Sequence, residues 1–257
     1  MLNRNHLLEK LKNTNEICIG TWSIIANTTL IDVLCSTDLD FIIMDSEHGP
    51  IGFESAQEIT ITCESKKVSP VIRLPDLSKE NVLKALEIGV HAIQVPNIDN
   101  LEQVNQLQEY SKYPPIGKRG FSPFTRACGY GANNSIEMIS KANSNTLLNI
   151  HIEGKEGIDN VDKILENKYI DVCFIGLFDI SNFLGHPGEV DHPEVLKLFK
   201  LLSSKILSAG KIVGSISNNI DQLNYLAENK VRYITHSVDC QMIQQTYQKA
   251  VSSLKRR

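Results

Sequence analysis

Residues 147–154 read LLNIHIEG. Along a strand the side chains alternate between faces, so His151 and Glu153 share one face while Ile150 and Ile152 pack on the other. A second strand-like run, DVCFIGLFD, covers 171–179 and closes on Asp179. Carboxylates are almost never fully buried without a partner, so one at the end of each of two apolar strands calls for a group that both hold. Two such carboxylates brought together suit a shared divalent cation.

Outward from these strands, short β-rich runs alternate with longer stretches of helical period. ICIGTWSI (17–24), FIIMD (41–45), PVIRLP (70–75) and AIQVPNI (92–98) come before LLNIHIE; VCFIGLFD, IVGSIS (212–217) and RYITHSVD (232–239) come after it. Helical segments follow the first four: TTLIDVLCST, 53–67, SKENVLKALEIG and about 100–112. In the third of these, Ser78 is the cap and Gly89 the stop. Helices near 157–167, 192–210, 221–230 and 240–254 follow the remaining strands, and one of about 4–13 precedes them all. Eight strand–helix units in about 250 residues predict a (β/α)8 TIM barrel, an α/β fold. The alternative, an open doubly wound sheet, is weakened because no GxGxxG follows an early strand. Without a linker, low-complexity tract or charge block, residues 1–257 read as a single domain. The rhythm breaks once, at YPPIGKRGFSPFTRACGYGANN, a long loop of about 113–135 rich in Gly, Pro and aromatic residues. Loops of that kind carry function.

With 42% hydrophobic and 22% charged residues the composition is that of an ordinary globular protein. A formal net charge of -4 gives no nucleic-acid footprint, and Lys255-Arg256-Arg257 reads as a solvated tail. MLNRNHLLEKLKN lacks a long apolar core and no later run reaches spanning length, so neither a signal peptide nor a membrane partner is expected. The six cysteines, at 18, 35, 63, 128, 173 and 240, are scattered with no CxxC, which points to reduced thiols and a cytoplasmic location.

In a barrel the chemistry gathers at the C-terminal ends of the strands. The first strand ends in Thr21-Trp22-Ser23; Trp22 is either core at the barrel mouth or a wall of a substrate pocket. The second ends in Asp45-Ser46-Glu47-His48-Gly49, where His48 is placed to move a proton near neutral pH. Arg73, between Ile72 and Leu74, needs an anion, from a structural carboxylate or from a ligand. Glu87, shortly before Gly89, reads by default as a helix-surface residue. Glu153 and Asp179 as oxygen ligands suit Mg²⁺ or Mn²⁺, while His151 as a further ligand would favour Zn²⁺, Co²⁺ or Fe²⁺. Open coordination positions would take a 2-oxo acid through its carboxylate and keto oxygens, with Arg73 adding positive charge. Lys118, Lys155 and Lys211 fall in loops or at strand starts, which disfavours a Schiff base.

GTW (20–22), DFIIMDSEHGP (40–50), VIRLP (71–75), IQVPNI (93–98), PPIGKRGFSPFTRACGYG (114–131), IHIEG (150–154) and IGLFDISNFLG (175–185) occur in order across nearly the whole chain. This set resembles the ordered blocks of the HpcH/HpaI class II pyruvate aldolases. The resemblance implies a (β/α)8 barrel and a divalent-metal-dependent, reversible aldol cleavage of a 4-hydroxy-2-oxo acid to pyruvate and an aldehyde. Carried over by position, Glu153 and Asp179 are metal ligands, His48 is the acid/base residue and Arg73 holds the pyruvate oxygens. Trp22, His151, Phe178 and Asp179 then border the substrate, and Glu87 stands where the family has an aspartate paired with its histidine. Two further departures are His151, where the family commonly has Gln, and Leu177-Phe178, where it has Pro-Ala and uses backbone amides to bind the substrate carboxylate. Family members assemble as trimers or hexamers through the last helix, implying a homo-oligomer. Arg119, Phe121, Phe124 and Arg126 in the long loop are candidate contacts for the aldehyde. Two other readings stand beside this one. The first is a metal-dependent enolate enzyme, isomerase or mutase, acting on a phosphoenolpyruvate-like substrate with GSIS (214–217) as phosphate loop; the second is a non-catalytic barrel that binds an oxo acid.

Overall fold

A computed structural model describes residues 4–132 and 134–255. Its strands are β1 (Cys18–Ser23), β2 (Phe41–Asp45), β3 (Ser69–Arg73), β4 (Ala92–Val95), β5 (Leu147–Ile152), β6 (Val172–Ile175), β7 (Ile212–Ser217) and β8 (Tyr233–Val238). They pair in parallel in chain order, and β8 returns to β1 to close the barrel. The helices are α1 (His6–Asn13), α2 (Thr28–Cys35), α3 (Phe53–Ser65), α4 (Lys79–Glu87), α5 (Leu101–Ser111) and α6 (Ser135–Asn145). After β5 come α7 (Lys155–Asp159), α8 (Val161–Ile164), α9 (Leu177–Phe183), α10 (Pro193–Ser208), α11 (Ile220–Glu228) and α12 (Asp239–Lys255). The (β/α)8 expectation holds. Of the basic tail, Arg256 and Arg257 lie outside the described residues, as does Asn133 of the long loop.

Period two sorts each strand between two cores. In β2, Ile42 and Met44 join the layer between strands and helices, whereas Phe41 and Ile43 fill the barrel itself with Trp22, Val71, Phe174 and Tyr233. Buried on both faces, such strands read as nearly continuous apolar runs. Gly20 is needed for this closeness: a methyl there would sit 2.6 Å from the Phe41 carbonyl oxygen and 2.4 Å from its ring.

Helix α1 stops the lower end, where the strands begin. Leu7, Leu8 and Leu11 join the inner core, and the fully buried Asn5 donates from Nδ2 to the carbonyls of His91 (2.8 Å) and Asn145 (2.7 Å). The upper end, where the strands finish, stays open.

Three local expectations are corrected. The first is an added element: the loop from Tyr113 ends where expected, but a helix not foreseen follows it, α6, capped by Asn134, which accepts the amides of Ile136 and Glu137. Strand β6 stops at Ile175, so Asp179 stands in the first turn of α9 rather than at a strand end. GSIS lies inside β7, its residues paired with β8, so it is no phosphate-binding loop.

Candidate active site

At the open end lies a cavity of about 400 Å³ whose walls include Trp22, His48, Arg73, His151, Glu153, Phe178 and Asp179. The fold thus brings together every sequence-derived site residue except Glu87. That residue ends α4, five residues before β4 begins at Ala92, and so lies at the lower end, where its Oε1 accepts from Arg119 Nη2 at 2.8 Å. Within the chain, the His48–Glu87 dyad therefore does not form. The same topology corrects the candidate aldehyde contacts. The loop carrying Arg119, Phe121, Phe124 and Arg126 joins α5 to α6 and β5, so it opens at the lower end and none of the four lines the cavity.

Arg73 is held by two carboxylates. Its Nε and Nη2 donate to Asp45 Oδ1 (2.9 Å) and Oδ2 (2.6 Å), and Nη1 lies 3.0 Å from Glu47 Oε2. The register makes this possible, since Asp45 and Arg73 are direct neighbours across β2 and β3. The Arg73 guanidinium lies 4.4 Å from the centre of the Trp22 ring, whose Nε1 donates to Thr235 Oγ1 at 3.0 Å. Burial pushes the Asp45 carboxyl up, but Arg73 and the amides of Glu47 and His48 outweigh it and hold it below the usual range. His48 follows on the turn those amides form, exposed at the rim.

As period two demands, His151 and Glu153 lie on the inner face, and the buried Ile150 and Ile152 pack outside the barrel. A hydrogen-bond ladder under Glu153 sets the tautomer of His151. Gln94 Oε1 accepts from Asn149 Nδ2 (3.0 Å) and Tyr233 OH (3.2 Å), which leaves Gln94 Nε2 facing His151 Nε2 as donor. The Nε2 of His151 accordingly accepts, and Nδ1 carries the proton it donates to Glu153 Oε2 at 2.9 Å. Glu153 Oε1 accepts the Asn97 amide at 2.8 Å, presented by a residue with φ of 53°. Burial raises the Glu153 carboxyl, yet His151, the Asn97 amide and Arg73 together bring it down to about 2.

Asp179 and Glu153 converge over Gly176. A methyl there would come within 2.8 Å of Glu153 Oε2 and 3.3 Å of Asp179 Oδ2. Burial and the neighbouring Glu153 charge push the Asp179 carboxyl above its ordinary range, and burial with the same Glu153 charge does so for Glu47. Such mutual repulsion is relieved by a cation. Two carboxylate oxygens meeting over a residue without a side chain, beside an open cavity, fit a divalent metal ion. A second cluster of ligand atoms, from His186, Glu189 and His192, lies within 4.8 Å in the segment between α9 and α10, outside the cavity. There His192 Nδ1 accepts the Glu194 amide at 3.3 Å as the cap of α10.

The sequence reading passed over Gln94, Asn97, Asn149 and Tyr233. Its available signal was a polar side chain inside an otherwise apolar strand, as in AIQV and LLNI. No lysine lines the cavity among the described residues, in keeping with the case against a Schiff base.

A (β/α)8 barrel with a carboxylate-rich cavity at the C-terminal strand ends has the build of a barrel enzyme. The HpcH/HpaI aldolase/citrate lyase family model matches residues 18–244. The chain is 28% identical over 242 residues to a 5-keto-4-deoxy-D-glucarate aldolase of Enterobacter sp. (strain 638), covering 94% of this chain and 93% of the relative. It is 30% identical to a 2-keto-3-deoxy-L-rhamnonate aldolase of Salmonella gallinarum, over 77% of this chain and 74% of that one. A solved HpcH/HpaI aldolase/citrate lyase family structure from Burkholderia cenocepacia J2315 superposes with a TM-score of 0.92 at 23% identity, covering 98% and 99% of the two chains. The protein belongs to the HpcH/HpaI aldolase/citrate lyase family.

Proposed function

We propose that the protein is a carbon–carbon lyase that cleaves a 4-hydroxy-2-oxo acid reversibly to pyruvate and an aldehyde. The observation that carries this reading is the convergence of Glu153 and Asp179 over Gly176 in the cavity that also holds Arg73 and His48. Its relatives named as aldolases support it.

Glu153 and Asp179 would hold the cation, which supplies Lewis acidity toward the oxo group of a bound substrate. The donor set favours Mg²⁺ or Mn²⁺ over Zn²⁺ or Co²⁺, because His151 turns a protonated nitrogen toward Glu153 and so positions that carboxylate rather than adding a ligand. Arg73 spends three N–H groups on Asp45 and Glu47 and keeps two of its five for substrate oxygens. One side chain would thus serve both anions foreseen for Arg73, the structural carboxylate and the ligand. Trp22 supports the guanidinium from its ring face. His48 accepts the C4 hydroxyl proton as the C3–C4 bond breaks, and the electron pair left on C3 is then protonated to the pyruvate methyl.

The exposed stripe of Ile243, Tyr247, Val251 and Leu254 on α12 supports a homo-oligomer, a trimer or hexamer. The cysteines of the described residues are free thiols, which supports a cytoplasmic location. No described helix is long and apolar enough to cross a membrane.

Purified protein with Mg²⁺ or Mn²⁺ should exchange the pyruvate methyl protons for deuterium, and EDTA should stop the exchange. No exchange with any divalent metal would remove the mechanism. Pyruvate binding without exchange would leave a non-catalytic barrel.

A further inference from the structure

The cavity is chemically divided around its rim. Its charges come from β2, β3, the end of β5 and the start of α9, as Asp45, Arg73, Glu153 and Asp179. The opposite arc, formed by β7, β8 and the end of β1, presents Ile216, Val238 and Ile24, with the half-exposed Phe178 beside Asp179. Asn218 and Gln241 are the polar residues of that arc, and neither is charged. The remaining polar groups of these strands are engaged elsewhere. Ser217 Oγ bonds His236 Nδ1 at 2.9 Å, and the buried Asp239 takes the Ser23 hydroxyl at 2.7 Å and the Ile25 amide at 3.1 Å.

We propose that the aldehyde portion of the substrate lies against this apolar arc, so that the enzyme takes uncharged aldehydes with an aliphatic tail in preference to aldehydes bearing a carboxylate. This inference rests on the aldolase reading above and adds the acceptor class to it. Its physical basis is twofold. Each methylene laid on Ile24, Ile216 or Val238 leaves water for apolar surface. A carboxylate in the same place would lose its hydration and meet no cation on that arc, whose polar lining residues are the neutral Asn218 and Gln241. Arg73 lies on the charged side of the cavity, and in the reading above its two remaining N–H groups are taken by the oxo-acid oxygens.

The test uses the metal-loaded protein with pyruvate as donor and a series of straight-chain aldehydes from two to six carbons, together with succinic semialdehyde as the carboxylated counterpart of butanal. The kcat/KM should rise about 4-fold per methylene over the first members. Butanal should exceed succinic semialdehyde by at least about 10-fold. Val238→Lys, which places a cation in the arc, should narrow or invert that ratio, and Ile24→Ala should flatten the length dependence. A wild-type preference for succinic semialdehyde, or a kcat/KM indifferent to tail length, overturns the inference. Pyruvate deuterium exchange needs no aldehyde, so its absence would instead overturn the aldolase reading, and the two failures are told apart.

Discussion

The two ends of the barrel use the same parts in different proportions. At the upper end Arg73 lies 4.4 Å from the Trp22 ring centre; at the lower end Arg119 lies 4.5 Å from that of Tyr113. Below, Arg119 and Arg126 each meet a carboxylate of their own, Glu87 and Glu64, the latter also 3.2 Å from His91. Above, four carboxylates (Asp45, Glu47, Glu153 and Asp179) gather around the single guanidinium of Arg73. Charge balance marks the closed end as structure. Charge surplus at the open end is what the proposed cation would offset.

Removing a carboxylate should therefore cost stability alone at the lower end, and activity as well as stability at the upper end. Glu64→Gln removes the buried carboxylate that Arg126 and His91 meet and should lower stability by about 3 to 5 kcal/mol in urea unfolding, with kcat per folded molecule near wild type. A stable Glu64→Gln protein with lost activity would break the comparison. Acid comes next in size. Because the Glu153 carboxyl is brought from 4.5 down to about 2 in the fold, its contribution is complete above pH 4.5 and disappears as pH falls toward 2. Metal-free wild type should thus lose about 3 kcal/mol more stability than Glu153→Gln across that window. Parallel losses in the two proteins would show that Glu153 is not held as described. At pH 7, Glu153→Gln should lower aldol cleavage by more than about 100-fold. It should also abolish the stabilisation of about 2.7 kcal/mol that Mn²⁺ at 100 times its Kd gives the wild type. Chelation of the wild type should reproduce both losses.

What the sequence disclosed depended on how local the cause was. Period two in LLNIHIEG is a property of consecutive residues, and it places His151 and Glu153 on the inner face, where they are found. The barrel follows from repeated alternation of that kind. The anchoring of Arg73 required the register between β2 and β3, and the ladder through Tyr233 and Gln94 joins residues 139 apart in the chain. No local pattern encodes such pairs. The aldehyde contacts assigned to the long loop failed for a different reason. Gly, Pro and aromatic residues say that a segment is a loop but not at which end, and it was the order helix, loop, strand that put Arg119 and Arg126 below. Asp179 was assigned to a strand end because DVCFIGLFD is apolar throughout, yet Gly176 ends the strand and lets α9 begin.

His151→Gln sharpens the comparison at its finest point, because it leaves the number of carboxylates unchanged and alters only how one of them is held. A glutamine side chain can also donate to Glu153, but it lacks the stacking of the imidazole on Phe174, whose ring centres lie 4.7 Å apart. Its amide oxygen can accept from Gln94 in place of the second ring nitrogen, but on a longer and more flexible stem, so the donor would be less firmly fixed. Loss of a partner that orients a ligand carboxylate weakens metal affinity by about 10-fold or more. The expected result is an Mn²⁺ Kd raised about 10-fold, with kcat near wild type once metal is saturating. An unchanged Kd with a raised pyruvate KM would make His151 a substrate contact instead. That outcome would move the boundary between the held carboxylate and the bound acid one residue deeper into the barrel.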